Sequence, residues 1–339
     1  MLLISIFLIP GRPSLVGALF ARYGRRASAA TTITFALTAP AFLFCSCSAE
    51  PPEDGPLYDI IVNSPGDAAS IDLFFFDDTP LQRLDSYVRL DAPEGNRITA
   101  NSSNRAARLV MFSNVSGSPY EWSGIDSYAS LSHRSFILDN ELSSAPMLSG
   151  ETVLEAGWSR ACVLSLQTSL TRVRLHQIEF DFSGRPYSGA KADDIKVYLT
   201  RACTECLPLQ DDKGISWINA GGADSVTLSH LAHPEYLFRE IEGSVGSAPR
   251  VLDLDFYTYP NRNTGFGETR LVIECSFNGK RCYYPLPLPP LVRNTVYEAD
   301  VHITRMGSSD PDIPTEAGAV EYTFRVLPWE DAPSQTITF

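Results

Sequence analysis

A period of two in the placement of apolar residues is the feature that most restricts how this chain can fold. The clearest case is the segment 319–326, whose apolar residues all fall on one face of an extended chain: Val320, Tyr322, Phe324 and Val326. The same alternation recurs at 193–200 and at 297–304. Such segments are predicted to be half-buried strands, because successive side chains of a strand point to opposite faces.

Two further segments add detail to this pattern. The segment 171–182 changes phase near Gln177, which predicts a β-bulge there, and the segment 70–78 is apolar on both faces from Leu73 to Phe76, as in a central strand. Turn sequences rich in Gly, Pro, Asn and Asp separate the strands. A helical signal is confined to 225–242 and is interrupted at Pro234. We therefore expect an all-β fold built from sandwiches.

The N-terminal part of the sequence has the features of an export signal. A cluster of arginines precedes an apolar stretch at 31–44, which is too short to span a bilayer. Ser46 and Cys47 follow this stretch closely, and an apolar run followed by a small residue and a cysteine is what bacterial lipoprotein peptidase recognises. We predict a lipoprotein signal peptide at 1–46 and a lipid on Cys47. An ordinary cleaved signal peptide and a short signal anchor remain alternatives.

The charge of the exported part is strongly negative. Removing residues 1–46 takes four of the 27 basic residues and no acidic one, so 23 basic residues face 40 acidic residues and the net charge is −17. Phosphate binding needs clustered cations, so nucleic acids and anionic membrane surfaces are disfavoured as partners.

The length after the signal peptide is sufficient for two domains, since roughly 290 residues remain. We place the division near Gly157, between a loop-rich segment and the strand that starts at Cys162. The predicted organisation is a tether at 47–55, an N-terminal β-sandwich at 56–157 and a C-terminal β-sandwich at 158–339 that includes a terminal strand at 335–339.

Two cysteines are predicted to face each other across a hairpin. Asn278-Gly279 is a strong signal for a two-residue turn, and such a turn sets Cys275 directly opposite Cys282. The pair occupies a hydrogen-bonded position, where the Cα atoms are about 5.5 Å apart, within disulfide range but with less well aimed side chains. The sequence leaves both the disulfide and the free thiols open.

Cys203 and Cys206 form a Cys-x-x-Cys motif with several interpretations. It is compatible with a redox pair, a zinc half-site, a strained disulfide or two ordinary loop thiols. A redox motif belongs at the start of a helix in an α/β unit, and structural zinc needs two more ligands at matched spacing. Neither context is found in the sequence, so we expect no metal and no cofactor.

Other titratable residues have ordinary interpretations beside functional ones. His230 and His233 have the spacing of a zinc pair but are also typical of surface residues beside a proline. Asp310 and Asp312 suit either a calcium ligand pair or a turn, and acid pairs such as Asp211-Asp212 are expected to be solvated turn residues. The sequence contains no nucleophile elbow, phosphate loop or His-Glu-x-x-His motif. We therefore favour a protein that is not an enzyme.

The C-terminal third carries a series of degenerate motifs in a recognisable order. They are Tyr284-Pro285-Leu286, Arg293-Asn294-Thr295-x-Tyr297, Asp310-Pro311-Asp312 and Trp329, preceded by the sequence MLSGE at 147–151. With these motifs and its lipoprotein signal, the chain resembles the fimbrillin superfamily, the type V pilins of Gram-negative anaerobes, over nearly all of its mature length.

The resemblance implies two tandem transthyretin-like β-sandwiches and a lipoprotein, carrying a lipid such as palmitate, in a fimbria on the outer membrane. Implied partners are other pilin subunits, the outer membrane through the anchor, and host or bacterial surface ligands met in adhesion. In this family a protease removes the first strand of a subunit, and the C-terminal strand of a neighbour fills the apolar groove.

Applied to this sequence, the resemblance makes 57–62 the first strand and 335–339 the donor strand. The first-strand residues are Leu57, Ile60 and Val62, and the donor residues are Thr336, Ile337 and Phe339. The alternative for the terminal strand is that it completes its own sheet.

One departure from the family pattern affects the expected role. Stalk fimbrillins are trimmed by an Arg- or Lys-specific protease after the first strand, but no Arg or Lys lies between Cys47 and Arg83. The resemblance therefore favours an anchor or accessory subunit over a stalk subunit. The rival interpretations are a surface lipoprotein that binds glycan or host protein without polymerising, and a secreted hydrolase with a dispersed active site.

Overall fold

The computed structural model describes residues 57–63, 70–91, 93, 95–115, 122–141, 146–155, 161–218, 234–329 and 335–338. The predicted signal peptide and the predicted lipid site at Cys47 lie outside these residues. Within them, no helix is long and apolar enough to cross a membrane.

Strands dominate the described residues, which confirms the predicted all-β class. Helical structure in the same residues is limited to α1 (Tyr128–Ser132), α2 (Leu138–Glu141) and two 3₁₀ turns, Pro234–Tyr236 and Gly265–Gly267. The strands of the first half are β1 (Leu57–Asn63), β2 (Ser70–Asp77), β3 (Leu84–Asp91), β4 (Arg97–Asn101), β5 (Ala106–Ser113), β6 (Phe136–Ile137), β7 (Leu148–Val153), β8 (Ala161–Ser165) and β9 (Gln167–Thr168). Those of the second half are β10 (Thr171–Phe180), β11 (Asp193–Thr200), β12 (Cys203–Leu207), β13 (Lys213–Trp217), β14 (Phe238–Ile241), β15 (Arg250–Thr258), β16 (Arg270–Phe277), β17 (Lys280–Pro287), β18 (Thr295–Ile303), β19 (Val320–Pro328) and β20 (Gln335–Thr338).

Two sheets share an apolar core in the N-terminal part. One has the strand order β4-β1-β8 and the other the order β3-β2-β5-β7-β9. Every residue of β2 is buried and the strand pairs with both β3 and β5, as predicted for a central strand. Leu73 and Phe75 on one face of β2 belong to the same core as Ile60 and Ile98 of the three-stranded sheet. Alternate residues of β2 therefore serve two different cores.

The opposite face of β2 contributes to a second, larger core. Phe74 and Phe76 belong to it, and Trp122 stacks on Phe112 with ring centroids 5.2 Å apart. The same core continues into the C-terminal sheets, whose strand orders are β15-β10-β18-β19-β20 and β14-β11-β16-β17. A three-stranded sheet, β13-β12-β6, completes the described pairings.

The predicted strand faces and the predicted bulge are confirmed. Phe324 is fully buried, and its neighbours on the same face of β19 pack against the larger core. In β10 the register shifts between Leu175 and Gln177 against both β15 and β18. The extra residue keeps Val173 and Leu175 before the bulge, and Ile178 and Phe180 after it, in the same core, which explains the change of phase in the sequence.

The order of the strands bears on the predicted domain division. Gly157 lies outside the described residues, but β8 and β9, which follow it, pair with β1 and β7 of the N-terminal sheets. The N-terminal sheets therefore extend to Thr168. We propose that the division falls between Thr168 and the start of β10 at Thr171.

The helical prediction for 225–242 was wrong over its described part. Residues 234–236 form a single 3₁₀ turn, and Phe238–Ile241 form β14, which pairs with β11. Ile241 is buried and lies opposite Ile195, so pairing with a buried strand determines the structure of this short segment.

Candidate assembly site

The first strand, β1, is the central strand of its sheet. It pairs antiparallel with β4 and parallel with β8. Ile60 lies opposite Ile98 on β4 and opposite Cys162 on β8. Without β1, facing backbone groups of β4 and β8 would have no partner, and an unpaired strand edge is a template for another strand.

One face of β1 is inserted into the smaller core. Tyr58 is 4% exposed and Ile60 is 0% exposed, and the Tyr58 ring lies 5.5 Å from the ring of Phe75. Burying an aliphatic side chain of this size contributes about 1.5–3 kcal/mol. β1 is therefore held by apolar packing as well as by backbone hydrogen bonds.

The other face of β1 carries an ion pair with the neighbouring strand. Asp59 accepts two hydrogen bonds from the Arg97 guanidinium, one of them from Nε to Oδ1 at 2.7 Å. This hydrogen bonding holds the pKa of Asp59 below its usual value. The two residues lie close along the paired strands, so the contact favours the observed register of β1 and β4.

The predicted first-strand residues all lie in β1. Ile60 is buried as expected, Leu57 lies opposite Asn101 of β4, and Val62 lies opposite Leu164 of β8. For Leu57 and Val62 the structure describes the strand pairing but not the side chains.

The terminal strand, β20, is an edge strand of the larger C-terminal sheet. It pairs antiparallel with β19, so that Thr336 lies opposite Arg325 and Ile337 opposite Phe324. This is the alternative in which the strand completes its own sheet. Phe339 lies outside the described residues, and the donor role of the segment stays a prediction.

The predicted hairpin is confirmed, including its register. Asn278 and Gly279 both have positive φ, 49° and 78°, as a type I′ turn requires, and Cys275 pairs with Cys282. Both thiols are free and almost completely buried, and burial raises the pKa of each.

The disulfide between Cys275 and Cys282 stays a prediction. Peptide mapping of the exported protein, after its free thiols have been blocked, should detect the linked peptides if it forms.

The Cys-x-x-Cys motif lies in a strand, so the interpretation as two ordinary loop thiols does not hold. Cys203 and Cys206 are both in β12, which pairs with β13 and β6, and both are fully buried. Burial raises the pKa of Cys203 to about 12, which leaves little reactive thiolate at neutral pH. The described residues contain no group of three or more metal-ligating side chains.

The remaining candidate metal ligands are the pair Asp310 and Asp312, which lie in a turn, and the pair His230 and His233. In the turn, the Asp312 amide donates a 2.8 Å hydrogen bond to Asp310 Oδ1, and the Asp312 carboxylate accepts one of 3.0 Å from Arg201. These contacts fit the turn interpretation. His230 and His233 lie outside the described residues.

The motif around Arg293 joins the beginning of β18 to the N-terminal sheets. Arg293 Nη2 donates hydrogen bonds of 2.9 Å to Ser149 Oγ and 3.2 Å to the Gln167 carbonyl. The Trp329 amide donates one of 3.1 Å to the Asn294 carbonyl. The motifs behind the resemblance therefore have structural roles.

Sequence reasoning missed a pair of buried acids. Asp212, which was expected to be solvated, is 3% exposed, and Glu141 is 2% exposed and accepts a hydrogen bond from the Tyr259 hydroxyl. Burial raises the pKa of Glu141 to about 8 and that of Asp212 to about 6. Their neighbours, Tyr259 for Glu141 and Arg293 for Asp212, lie far away in sequence, so no local signal could have found them.

Together, these sheets form a β-sandwich protein whose first strand is inserted between two others and whose last described strand lies at an edge. The same fold is found in solved structures of bacterial surface proteins. A candidate cell adhesion protein from Bacteroides eggerthii has a TM-score of 0.63 at 14% identity, over 82% of this chain and 97% of its own. A fimbrilin from Porphyromonas gingivalis has a TM-score of 0.57 at 14% identity, over 83% of this chain and 98% of its own.

A second candidate cell adhesion protein, from Parabacteroides distasonis, has a TM-score of 0.56 at 14% identity, over 80% of this chain and 96% of its own. No family model and no curated protein matches the sequence. At this level of identity the likeness establishes the fold, and it confirms the fimbrillin-type fold that the sequence resemblance implied.

Proposed function

We propose that this protein is a non-enzymatic, lipid-anchored subunit of bacterial surface fimbriae, joined to neighbouring subunits by strand donation and supporting adhesion. The observation that carries the proposal is the position of β1 between β4 and β8, with Tyr58 and Ile60 in the core. The proposal is supported by the solved structures of the same fold, which include a fimbrilin and two candidate cell adhesion proteins.

The seam around β1 has the chemistry of a strand-acceptor groove. The sites of Tyr58 and Ile60 are apolar positions two residues apart, between two strands that would both have free edges. A strand of alternating pattern from another subunit can use those edges for backbone hydrogen bonds and those two positions for apolar side chains.

This chain is proposed to keep its own first strand in the groove. The connection from β1 to β2 contains no Arg or Lys, and neither does any position between Cys47 and Arg83. A basic-residue-specific protease would therefore have no cleavage site there. A subunit that keeps β1 cannot accept a donor strand, so we favour an anchor or accessory position over a stalk position.

The segment 335–339 is proposed as the donor to the next subunit. β20 is short and is paired with β19 at the edge of its sheet, and among the described strands it pairs with no other. Its release would therefore open one of the four strand pairings of the larger sheet and leave the other three in place. Cys47, with its lipid, is proposed to hold the other end of the mature chain on the outer membrane.

Deletion of residues 334–339 tests the donor role. We expect the shortened protein to be exported and folded but absent from fibres, because it has lost the strand that the next subunit binds. The measurement is the amount of the shortened protein in fibres sheared from cells. Thermal denaturation of the purified monomer is the control that shows whether the shortened protein still folds. Two matched substitutions refine the test. Ile337→Asp should cause a large loss of incorporation into fibres, and Thr336→Asp a smaller loss.

Normal incorporation of the shortened protein into fibres would contradict strand donation by this segment. The N-terminus of the surface form tests the anchor role independently. A lipid on Cys47 is the expected result, whereas a chain that starts between Asn63 and Ser70 would identify a trimmed building block that accepts a strand.

A further inference from the structure

The two sheets of the N-terminal part come into close contact where β7 meets the end of β8. A Cβ atom placed on Gly150 of β7 would lie 2.5 Å from the carbonyl oxygen of Ser165 and 3.1 Å from Leu166 Cδ2. The Ser165 oxygen belongs to the backbone, so it cannot turn away as the end of a long side chain can. Glycine therefore permits an approach that any residue with a Cβ atom would prevent.

This contact lies at a corner of the chain, formed by Ser165 and Leu166. Residues 161–165 form β8, which pairs with β1, whereas residues 167–168 form β9, which pairs with β7 in the other sheet. Leu166 is 3% exposed and belongs to the smaller core. The chain therefore passes from one sheet to the other directly against Gly150, and the position of the corner determines where β8 lies.

Arg293 holds the same region from the C-terminal part. Its Nη2 donates hydrogen bonds of 2.9 Å to Ser149 Oγ and 3.2 Å to the Gln167 carbonyl, and its Nε donates one of 3.4 Å to the Thr168 carbonyl. One planar guanidinium thus binds β7 and β9 at the same time. Arg293 Nε also lies 3.5 Å from Asp212 Oδ2, so its charge has a counter-ion.

Of the two strands that meet at the corner, β8 is the less firmly held. β7 pairs with β5 over its whole length, from Leu148 to Val153. β8 pairs with β1 and with no other described strand. A group that forces β7 and β8 apart will therefore displace β8, and β8 is one of the two strands that hold β1 in place.

We propose that Gly150 and Arg293 are positioning residues of the strand-acceptor groove, which fix β8 as one of its walls and so determine how firmly a strand is retained there. This role rests on the proposed function, because it assumes that the groove is a strand-binding site. It also gives the C-terminal part, which supplies Arg293, control over a site in the N-terminal part. Loss of either contact loosens β1 although no residue of β1 is changed.

Hydrogen exchange of the unassembled soluble form of the full mature chain, measured by mass spectrometry, tests the role of Gly150. Gly150→Ala should accelerate exchange in a peptide that covers residues 57–63 about tenfold or more, because a displaced β8 exposes amides of β1. A peptide that covers β11 (Asp193–Thr200) reports on the C-terminal part and should exchange as in the parent.

Two other glycines supply matched controls. A Cβ atom on Gly307 would lie 2.4 Å from the Tyr283 carbonyl oxygen, so Gly307→Ala introduces an equally severe clash, but beside β17 in the C-terminal part. Gly189 has no neighbouring atom within 4 Å of such a Cβ, so Gly189→Ala adds the methyl group without a clash. Both variants should leave exchange at 57–63 as in the parent.

Arg293→Lys tests the second positioning residue and decides the proposal if Gly150→Ala does not fold. Lysine keeps a positive charge beside Asp212, but its ammonium group lacks the rigid fork that reaches three acceptors on β7 and β9. Exchange at 57–63 should rise about threefold or more. Thermal denaturation shows whether each variant is folded.

The proposal is overturned if either variant folds and exchanges at 57–63 as the parent does. It is also overturned if Gly307→Ala accelerates that exchange as much as Gly150→Ala, since any backbone clash would then have the same effect. A failure of strand donation is a separate result, because it is measured in the fibres formed with the 334–339 deletion and leaves the exchange of the monomer unaltered.

Discussion

Replacing Ile60 with alanine is expected to lower the free energy of unfolding by about 2–5 kcal/mol. Ile60 is fully buried in the smaller core and lies in the strand that joins β4 to β8. The substitution removes apolar contacts and leaves a cavity that the paired backbone on both sides prevents from closing. Urea denaturation of the soluble mature chain, followed by circular dichroism, measures the effect.

The neighbouring residue supplies the control. Ile61 has the same side chain in the same strand but points to the opposite face and is half-exposed. Ile61→Ala should therefore cost about 1 kcal/mol or less. Equal losses for the two substitutions would mean that β1 is not inserted into a core, and with that the acceptor groove would be ruled out.

Replacing Glu141 with glutamine is expected to make the protein more stable at pH 8.5, by a free energy on the order of 4 kcal/mol. Burial, assisted by the charge of Asp212, raises the pKa of Glu141 from an ordinary 4.5 to about 8. The folded chain therefore binds a proton that the unfolded chain releases, so stability is highest below about pH 4.5 and falls as the pH rises through about 8. Glutamine keeps the acceptor for Tyr259 without the charge.

The measurement is the free energy of unfolding of both proteins from pH 4 to pH 8.5. The difference should be small at pH 4 and grow with pH, most clearly above pH 6, where Asp212 with its pKa of about 6 no longer contributes to the slope. The exposed Glu321→Gln variant is the control and should follow the parent. Parallel curves for the parent and Glu141→Gln would show that Glu141 is not buried as described.

Features set by local sequence were predictable. Alternation identified the buried face of β19, the change of phase located the bulge at Gln177, and Asn278-Gly279 defined a turn that sets Cys275 opposite Cys282. Each of these depends on the chain within a few residues, where side-chain period and turn geometry act directly.

Features set by distant contacts were not predictable. The parallel pairing of β8 with β1 carries no local mark, so the place of β8 in the N-terminal sheets could not be predicted from the sequence. The segment at Phe238 resembles a helix in isolation but becomes a strand because β11 offers it a paired edge. Asp212 was expected in solvent, but it is buried where the distant Arg293 approaches it, which the sequence around Asp212 does not indicate.

The placement of β1 also determines how the protein resists mechanical force. A pull on the chain ahead of Leu57, directed along β1, loads the hydrogen bonds to β4 and β8 in shear, all at the same time. Separation then requires these bonds to break together and Tyr58 and Ile60 to leave the core in the same event. If the proposed lipid anchor holds this end, β1 would resist such a pull along both of its edges, whereas the edge strand β20, bonded along one side, would detach from β19 by peeling.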